Sequence, residues 1–251
     1  MKSSYIKLIV CLNILLIASD VISQNAESNI IIKDSAGRKW ATMAAGPQFK
    51  ASKSKKFWWG EHWRQEWITP VTFPFFDLDT TAGGLTPIKM GGGHETKSLR
   101  MKGANGKEYV IRTVNKNLDV LIPEEFKESF ISDIINDQIS TAHPFGPVVA
   151  ATLAGEIDIL HTNPVIVFVP ANPRLAEFEK EFANKLCLFE ERPNGDGWEN
   201  TELTGYADEV INTEKLLEKL TGDNNKYVDQ KEFLKVRLYD MCINDWDRHE
   251  D

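Results

Sequence analysis

The sequence predicts an α+β fold, an antiparallel sheet in the first part of the chain followed by helices. Three observations predict it. Two β-rich runs, Ser98 to Lys102 and Glu108 to Val114, flank Gly103-Ala-Asn-Gly106, and Asn-Gly between such runs is a strong hairpin signal. An amphipathic helical pattern covers Pro123 to Ile139, with Phe126, Phe130, Ile131, Ile134, Ile135 and Ile139 on one face. Two further helical runs, Glu214 to Leu220 and one opening at Asp229-Gln-Lys-Glu232, occupy the last part of the chain.

Composition bounds the function. The chain has 251 residues, of which 42% are hydrophobic and 26% charged, enough for a real core in one domain or two lobes. Its formal net charge is −8, which argues against general affinity for nucleic acid or an anionic membrane. A local basic pocket for an anionic ligand remains compatible with that balance.

In chain order, residues 1–23 read as a cleavable secretory signal. Lys2 and Lys7 start it, Leu8 to Ala18 is apolar except for Asn13, and Val21 and Ser23 suit the cleavage site before Gln24. The apolar run is below the roughly 18–20 residues a membrane span needs. Val10 stands where a lipoprotein site requires a small residue, which argues against lipid on Cys11. Export is therefore expected. Cys187 and Cys242 remain, either as one bridge or as two buried thiols.

Residues 24–56 are polar and mixed, with the lysine/serine patch Ala51-Ser-Lys-Ser-Lys-Lys56, and read as a partly ordered linker. Trp59, Trp63 and Trp67 then recur every four residues. Such a stripe is either an aromatic platform for stacking a sugar or base, or a helix laid against the domain. Helical aromatic stripes usually face a core, so the second is expected. Pro70 to Asp77 is held extended by its prolines. Leu85 to Met90 suits a first strand. Gly146 to Glu156 suits a helix, and Asn163 to Pro170 and Lys185 to Arg192 suit two buried strands. The organisation is thus a signal (1–23), a linker (24–56), a sheet-bearing α+β region (57–192) and a helical region (193–251).

The chemistry-bearing residues sit at two places. Asp245, Asp247, His249 and Asp251 alternate in one short stretch after the last helix, and clustered ionisable groups mark sites. Asp245, Asp247 and His249 could also hold a hard or borderline cation, as in a metal-dependent hydrolase. Asp223 to Asp229 fails as a calcium loop, because it lacks the sixth-position glycine and has Leu234 in place of the final glutamate. The second place is Gly91-Gly92-Gly93, between two strands. Glycines there let backbone N–H groups approach phosphates, or simply make a flexible turn. Arg112 shares a strand face with Val110 and Val114, where a cation is costly unless paired or bound to an anion. The plainer alternative is an exposed edge-strand arginine.

Taken together, Gly91-Gly-Gly-His-Glu-Thr-Lys97, Tyr109-Val-Ile-Arg-Thr-Val-Asn-Lys116 and Asp245-Trp-Asp-Arg-His-Glu-Asp251 resemble the atypical protein kinase-like fold of the HipA, CotH and secretory-pathway kinases. Gly83 to Pro87, Ala142-His-Pro144 and Glu190 to Pro193 also resemble segments of long exported proteins of Gram-negative bacteria. The resemblance implies a two-lobed fold, with a small antiparallel-sheet N-lobe and the beginning of a helical C-lobe. It implies a phosphotransferase using a nucleoside triphosphate with Mg²⁺ or Mn²⁺. Asp247 would be the base, with Asp245 and His249 beside it and Asp247 and Asp251 on the metal. Gly91, Gly92 and Gly93 would cover the phosphates, and Lys97, Arg112 and Lys116 would supply cations. Glu128, Asp133 or Asp137 would provide the helix acid that pairs with such a cation. The strand position that kinases fill with lysine is Arg112, and the metal-binding amide expected about five residues after the catalytic Asp is not in the chain. The chain therefore reads as a fragment of a longer exported protein, inactive in isolation. Its expected partners are a nucleotide and an unidentified acceptor, with outer-membrane or envelope proteins in the periplasm or at the cell surface. The alternative is a non-catalytic binding module whose Trp-rich segment is the contact surface.

Overall fold

A computed structural model of the chain describes residues 30–33, 37, 39–91, 96–118, 121–194 and 197–245. These are α+β and fall into two compact units, one drawn from Met1–Phe75, His94–Thr96 and Val114–Pro144, the other from Phe76–Gly93, Lys97–Thr113 and Phe145–Asp251. The expected signal at 1–23 lies outside the described residues. Among those described, no helix is long and apolar enough to cross a membrane.

The first unit holds a three-stranded antiparallel sheet of β1 (Ile30–Lys33), β2 (Lys39–Met43) and β3 (Val71–Pro74), in that order. The stretch expected as a linker thus supplies two strands. Its signal is missing from the local sequence because β2 is five residues long and pairs with a strand thirty residues on, where the Thr42 and Thr72 hydroxyls meet at 2.8 Å.

Helix α1 (Lys53–Trp59) starts at Ser52, whose hydroxyl accepts from the Lys55 N–H at 3.2 Å. It stops at Gly60, where φ is +91°, and His62 follows at φ +51° before α2 (Arg64–Ile68) begins. Two left-handed residues in three break the helix, so the tryptophan stripe is not one face. Only Trp67 goes inside, at 2% exposure, edge-on to Phe49 at 4.9 Å, with its indole N–H donating to Ala142 O at 2.8 Å. A Cβ on Gly46 would lie 2.6–2.7 Å from those two rings, so the close backbone approach there requires glycine.

The helix expected over 123–139 is broken into a 3₁₀ turn at Glu124–Phe126, α3 (Phe130–Asp137) capped by Ser129, and a second 3₁₀ turn at Gln138–Thr141. Its apolar face is only partly buried, with Ile139 inside and Ile131, Ile134 and Ile135 half-buried. Phe130 is 72% exposed, whereas Ser132, Asp137 and Ser140 are buried. The cause is Arg64, itself buried, which reaches Asp137 through two hydrogen bonds of 2.8 and 2.6 Å. Lys55 adds an ion pair at 2.8 Å.

The second unit is built on a five-stranded, wholly antiparallel sheet of β4 (Leu85–Gly91), β5 (Ser98–Gly103), β6 (Glu108–Thr113), β7 (Val165–Val169) and β8 (Lys185–Glu191), ordered β4-β5-β6-β8-β7. The β5–β6 hairpin turns as Asn105-Gly106 predicts, with Gly106 at φ +82° and its N–H donating to Gly103 O at 2.9 Å. β4 carries a bulge between Pro87 and Lys89. At the other edge, the Phe76 N–H donates to Phe168 O at 2.7 Å.

One sheet face carries the core. Leu85, Leu99, Met101, Ile111, Val167, Val169 and Cys187 pack with Phe76, Leu78, Leu175 and Phe182. The last two come from the 3₁₀ turn at Pro173–Phe178 and α5 (Glu179–Phe182; α4 is Gly146–Gly155). Two helices follow, α6 (Thr213–Gly222) and α7 (Gln230–Ile243). Asp229 caps α7 as its sequence predicts, accepting from the N–H groups of Lys231 and Glu232. Phe233, Leu234, Leu238 and Met241, the apolar residues of α7, are exposed, as are Val149 and Leu153 on α4. The helix is held by polar groups. The Tyr239 hydroxyl donates to Ala150 O at 2.5 Å, Lys235 donates to Asp158 O at 3.0 Å, and buried Asp240 accepts from Arg237 at 3.0 Å.

Candidate functional site

The sheet face opposite the core holds the candidate site. Alternation along the strands puts Ser98, Arg100 and Lys102 of β5, Glu108, Val110 and Arg112 of β6, and Leu188 and Glu190 of β8 on this side. Pairing then aligns three of the residues in a row. Gly91 is opposite Ser98, and Ser98 is opposite Arg112. Two strand spacings separate Gly91, at the end of β4, from the arginine, about 10 Å. Gly92 and Gly93 lie outside the described residues.

β6 is the middle strand, so Arg112 is not at an edge. Its side chain is half exposed, and its Nε donates to Glu190 Oε1 at 3.1 Å, a diagonal pair across β6 and β8. The Thr162 hydroxyl donates to the other Glu190 oxygen at 2.9 Å. Beside this pair Arg192 bonds Glu108 at 2.7 Å, and Asn163 holds Glu191 through its N–H at 2.8 Å. Arg112, Glu190, Thr162, Arg192 and Glu191, with Val110, Pro193 and Asn194, line an open cavity of about 320 Å³. That volume is at the lower end of small-ligand sites. Two arginines and two glutamates on its wall leave it without a net charge. The glutamates are what sequence reading missed, since Glu190 lies 78 residues from Arg112.

Other candidates stand elsewhere. Lys97 bonds Glu181 at 2.5 Å, a hydrogen bond that holds the Glu181 carboxyl below its ordinary range. Its position next to Ser98 turns it to the core-bearing face, away from Arg112. Lys116 follows β6 in the first unit and is half-buried. Of the three acids proposed to pair with a cation, Asp137 does pair, with Arg64 and Lys55. Burial works to raise its pKa, yet the bonds from Arg64 and then Lys55 outweigh it and hold the carboxyl below the usual range.

Asp245 follows the end of α7. Asn244 turns left-handed at φ +59°, and the Asp245 N–H closes back on Asp240 O at 2.8 Å. Burial, then the charges of Asp240 and Asp245, raise the Tyr239 hydroxyl pKa. Asp247, His249 and Asp251 lie outside the described residues. Among those described, no group of three or more His, Cys, Asp or Glu is arranged to hold a metal. Cys187 and Cys242 are not bridged. Cys187 is buried and its thiol is pushed up to about 12 by burial, whereas Cys242 is exposed, so only one of the two expected thiols is inside.

Compared with known proteins, the chain matches no family model, no curated sequence and no solved structure.

Proposed function

We propose that the chain carries the sheet-bearing part of an exported, kinase-like phosphotransferase that uses a nucleoside triphosphate and Mg²⁺ or Mn²⁺. The row Gly91–Ser98–Arg112 beside an open cavity is the observation that carries this reading. A glycine turn between adjacent strands and a cation on the next strand are the parts with which kinases hold phosphates. The chain order supports it too, with α3 inserted after the cation-bearing strand and α6 and α7 following the fifth strand. On this reading Asp247 is the base, Asp245 and His249 flank it, and Asp247 and Asp251 hold the metal.

The cavity suits a nucleotide in size, but its charge does not wait for one. Phosphates would have to displace Glu190, both of whose oxygens already accept hydrogen bonds. Glu190→Gln should therefore tighten binding and Arg112→Ala should weaken it. The test is an ATP–Mg²⁺ thermal shift on wild type and both variants, each referred to its own melting temperature without nucleotide. A shift that grows in Glu190→Gln and vanishes in Arg112→Ala supports the proposal. No shift in any of the three at millimolar nucleotide rejects it.

One observation favours a second reading, a non-catalytic binding module. Arg112 and Lys97, two of the three cations proposed for phosphate, are already neutralised by Glu190 and Glu181. If so, Glu190→Gln would gain no nucleotide affinity.

A further inference from the structure

The lysine/serine patch at 50–56 and the two aromatics after it form one exposed feature of the first unit. On α1, Lys53 and Phe57 are four residues apart, as are Ser54 and Trp58, so each pair shares a helix face. These four residues are all exposed, Phe57 at 79% and Trp58 at 70%, their rings meeting edge-on at 5.2 Å. Lys50, just before the helix, is also exposed. Neither Lys50 nor Lys53 has an ion-pair partner among the described residues.

The mounting is rigid. Lys55 on the inner side bonds Asp137, Lys56 bonds Glu61 at 2.5 Å, and the bidentate Arg64–Asp137 pair fixes α2 immediately after the break. The helix is thus held with Lys55 turned inward to a buried carboxylate and with Phe57 and Trp58 in solvent, while Trp59 is half-buried. A core-facing helix does the reverse. Aromatic rings next to unpaired lysines are the composition of a membrane-interface anchor. Rings sit at the headgroup boundary and ammonium groups meet anionic lipid.

We propose that the α1 face of Lys50, Lys53, Phe57 and Trp58 docks on an anionic lipid bilayer. The occupant is a membrane, rather than a protein or glycan, because two exposed rings stand beside two lysines without an ion-pair partner among the described residues, a local positive charge set against the chain's overall net charge of −8. The rest of that charge is repelled, which orients the chain with α1 toward the lipid. This inference does not rest on the phosphotransferase reading.

The test uses the full chain with phosphatidylcholine vesicles, with and without phosphatidylglycerol. Leu8 to Ala18 can bind lipid by itself, so the decisive readout is local: quenching of Trp58 by brominated acyl chains, taken as wild type minus Trp58→Phe. A positive difference on anionic vesicles supports the proposal. Phe57→Ser/Trp58→Ser should cosediment at least tenfold more weakly. Lys50→Gln and Lys53→Gln should each lose about fivefold at low salt and little at high salt. Unchanged melting temperatures establish that the variants fold, as their exposed positions predict. No Trp58-specific quenching, or equal quenching on neutral vesicles, overturns the proposal. Loss of binding to a soluble polysaccharide in the aromatic variant, without Trp58 quenching, would assign the face to sugar stacking instead.

Discussion

Asp137 is a carboxylate that folding takes out of water, and it stays charged because Arg64 and Lys55 both reach it. Removing one partner of a buried pair leaves the other uncompensated, at a cost of about 3–5 kcal/mol. Asp137→Asn should lower urea-unfolding stability by that order. The pH dependence has a definite sign. A folded-state pKa held below the unfolded value gives stability that is present above the unfolded value of about 3.9 and is lost as pH falls through the folded one. Wild type should therefore weaken on acidification below about pH 4, and Asp137→Asn should show a shallower slope there. The two described thiols differ in the same residue-level way. Cys242 should label with a thiol reagent in the native protein, and Cys187 only after unfolding, as peptide mapping would read.

At the scale of elements, local chemistry was legible wherever the signal is itself local. Asn105-Gly106 announced its hairpin, and Asp229-Gln-Lys-Glu232 announced the start of α7. Asp229→Ala should cost about 1 kcal/mol in thermal or urea unfolding, with α7 loosened first. Signals that depend on distant partners were not legible. The tryptophan spacing looked helical, but left-handed Gly60 and His62 interrupt it. The apolar side of α3 is legible as a pattern, but the burial of Asp137 beside it is not, because the carboxylate partner of Arg64 lies 73 residues away from it. Half of the candidate site was visible for the same reason. Glycine and arginine stand out in the sequence, whereas the glutamate that neutralises the arginine is recognised only once β6 and β8 lie side by side.

For the whole molecule, burial separates apolar residues that look alike in sequence. Leu99 is fully buried in the core of the second unit, and Leu99→Ala should cost about 2–5 kcal/mol. Leu238 is exposed on α7, and Leu238→Ala should change stability by about 0.5 kcal/mol or less. Equal losses on urea unfolding would mean that the α7 face is covered in solution. The five-stranded sheet also has two rims with different defences. β4 presents a proline, a bulge and the charged Lys89, and β7 has one of its carbonyls taken by the Phe76 amide. A strand from a neighbouring molecule finds an irregular template at the first rim and an occupied one at the second. Fibrillar growth by backbone pairing is thereby discouraged at both rims, and self-association at high concentration should run through side chains.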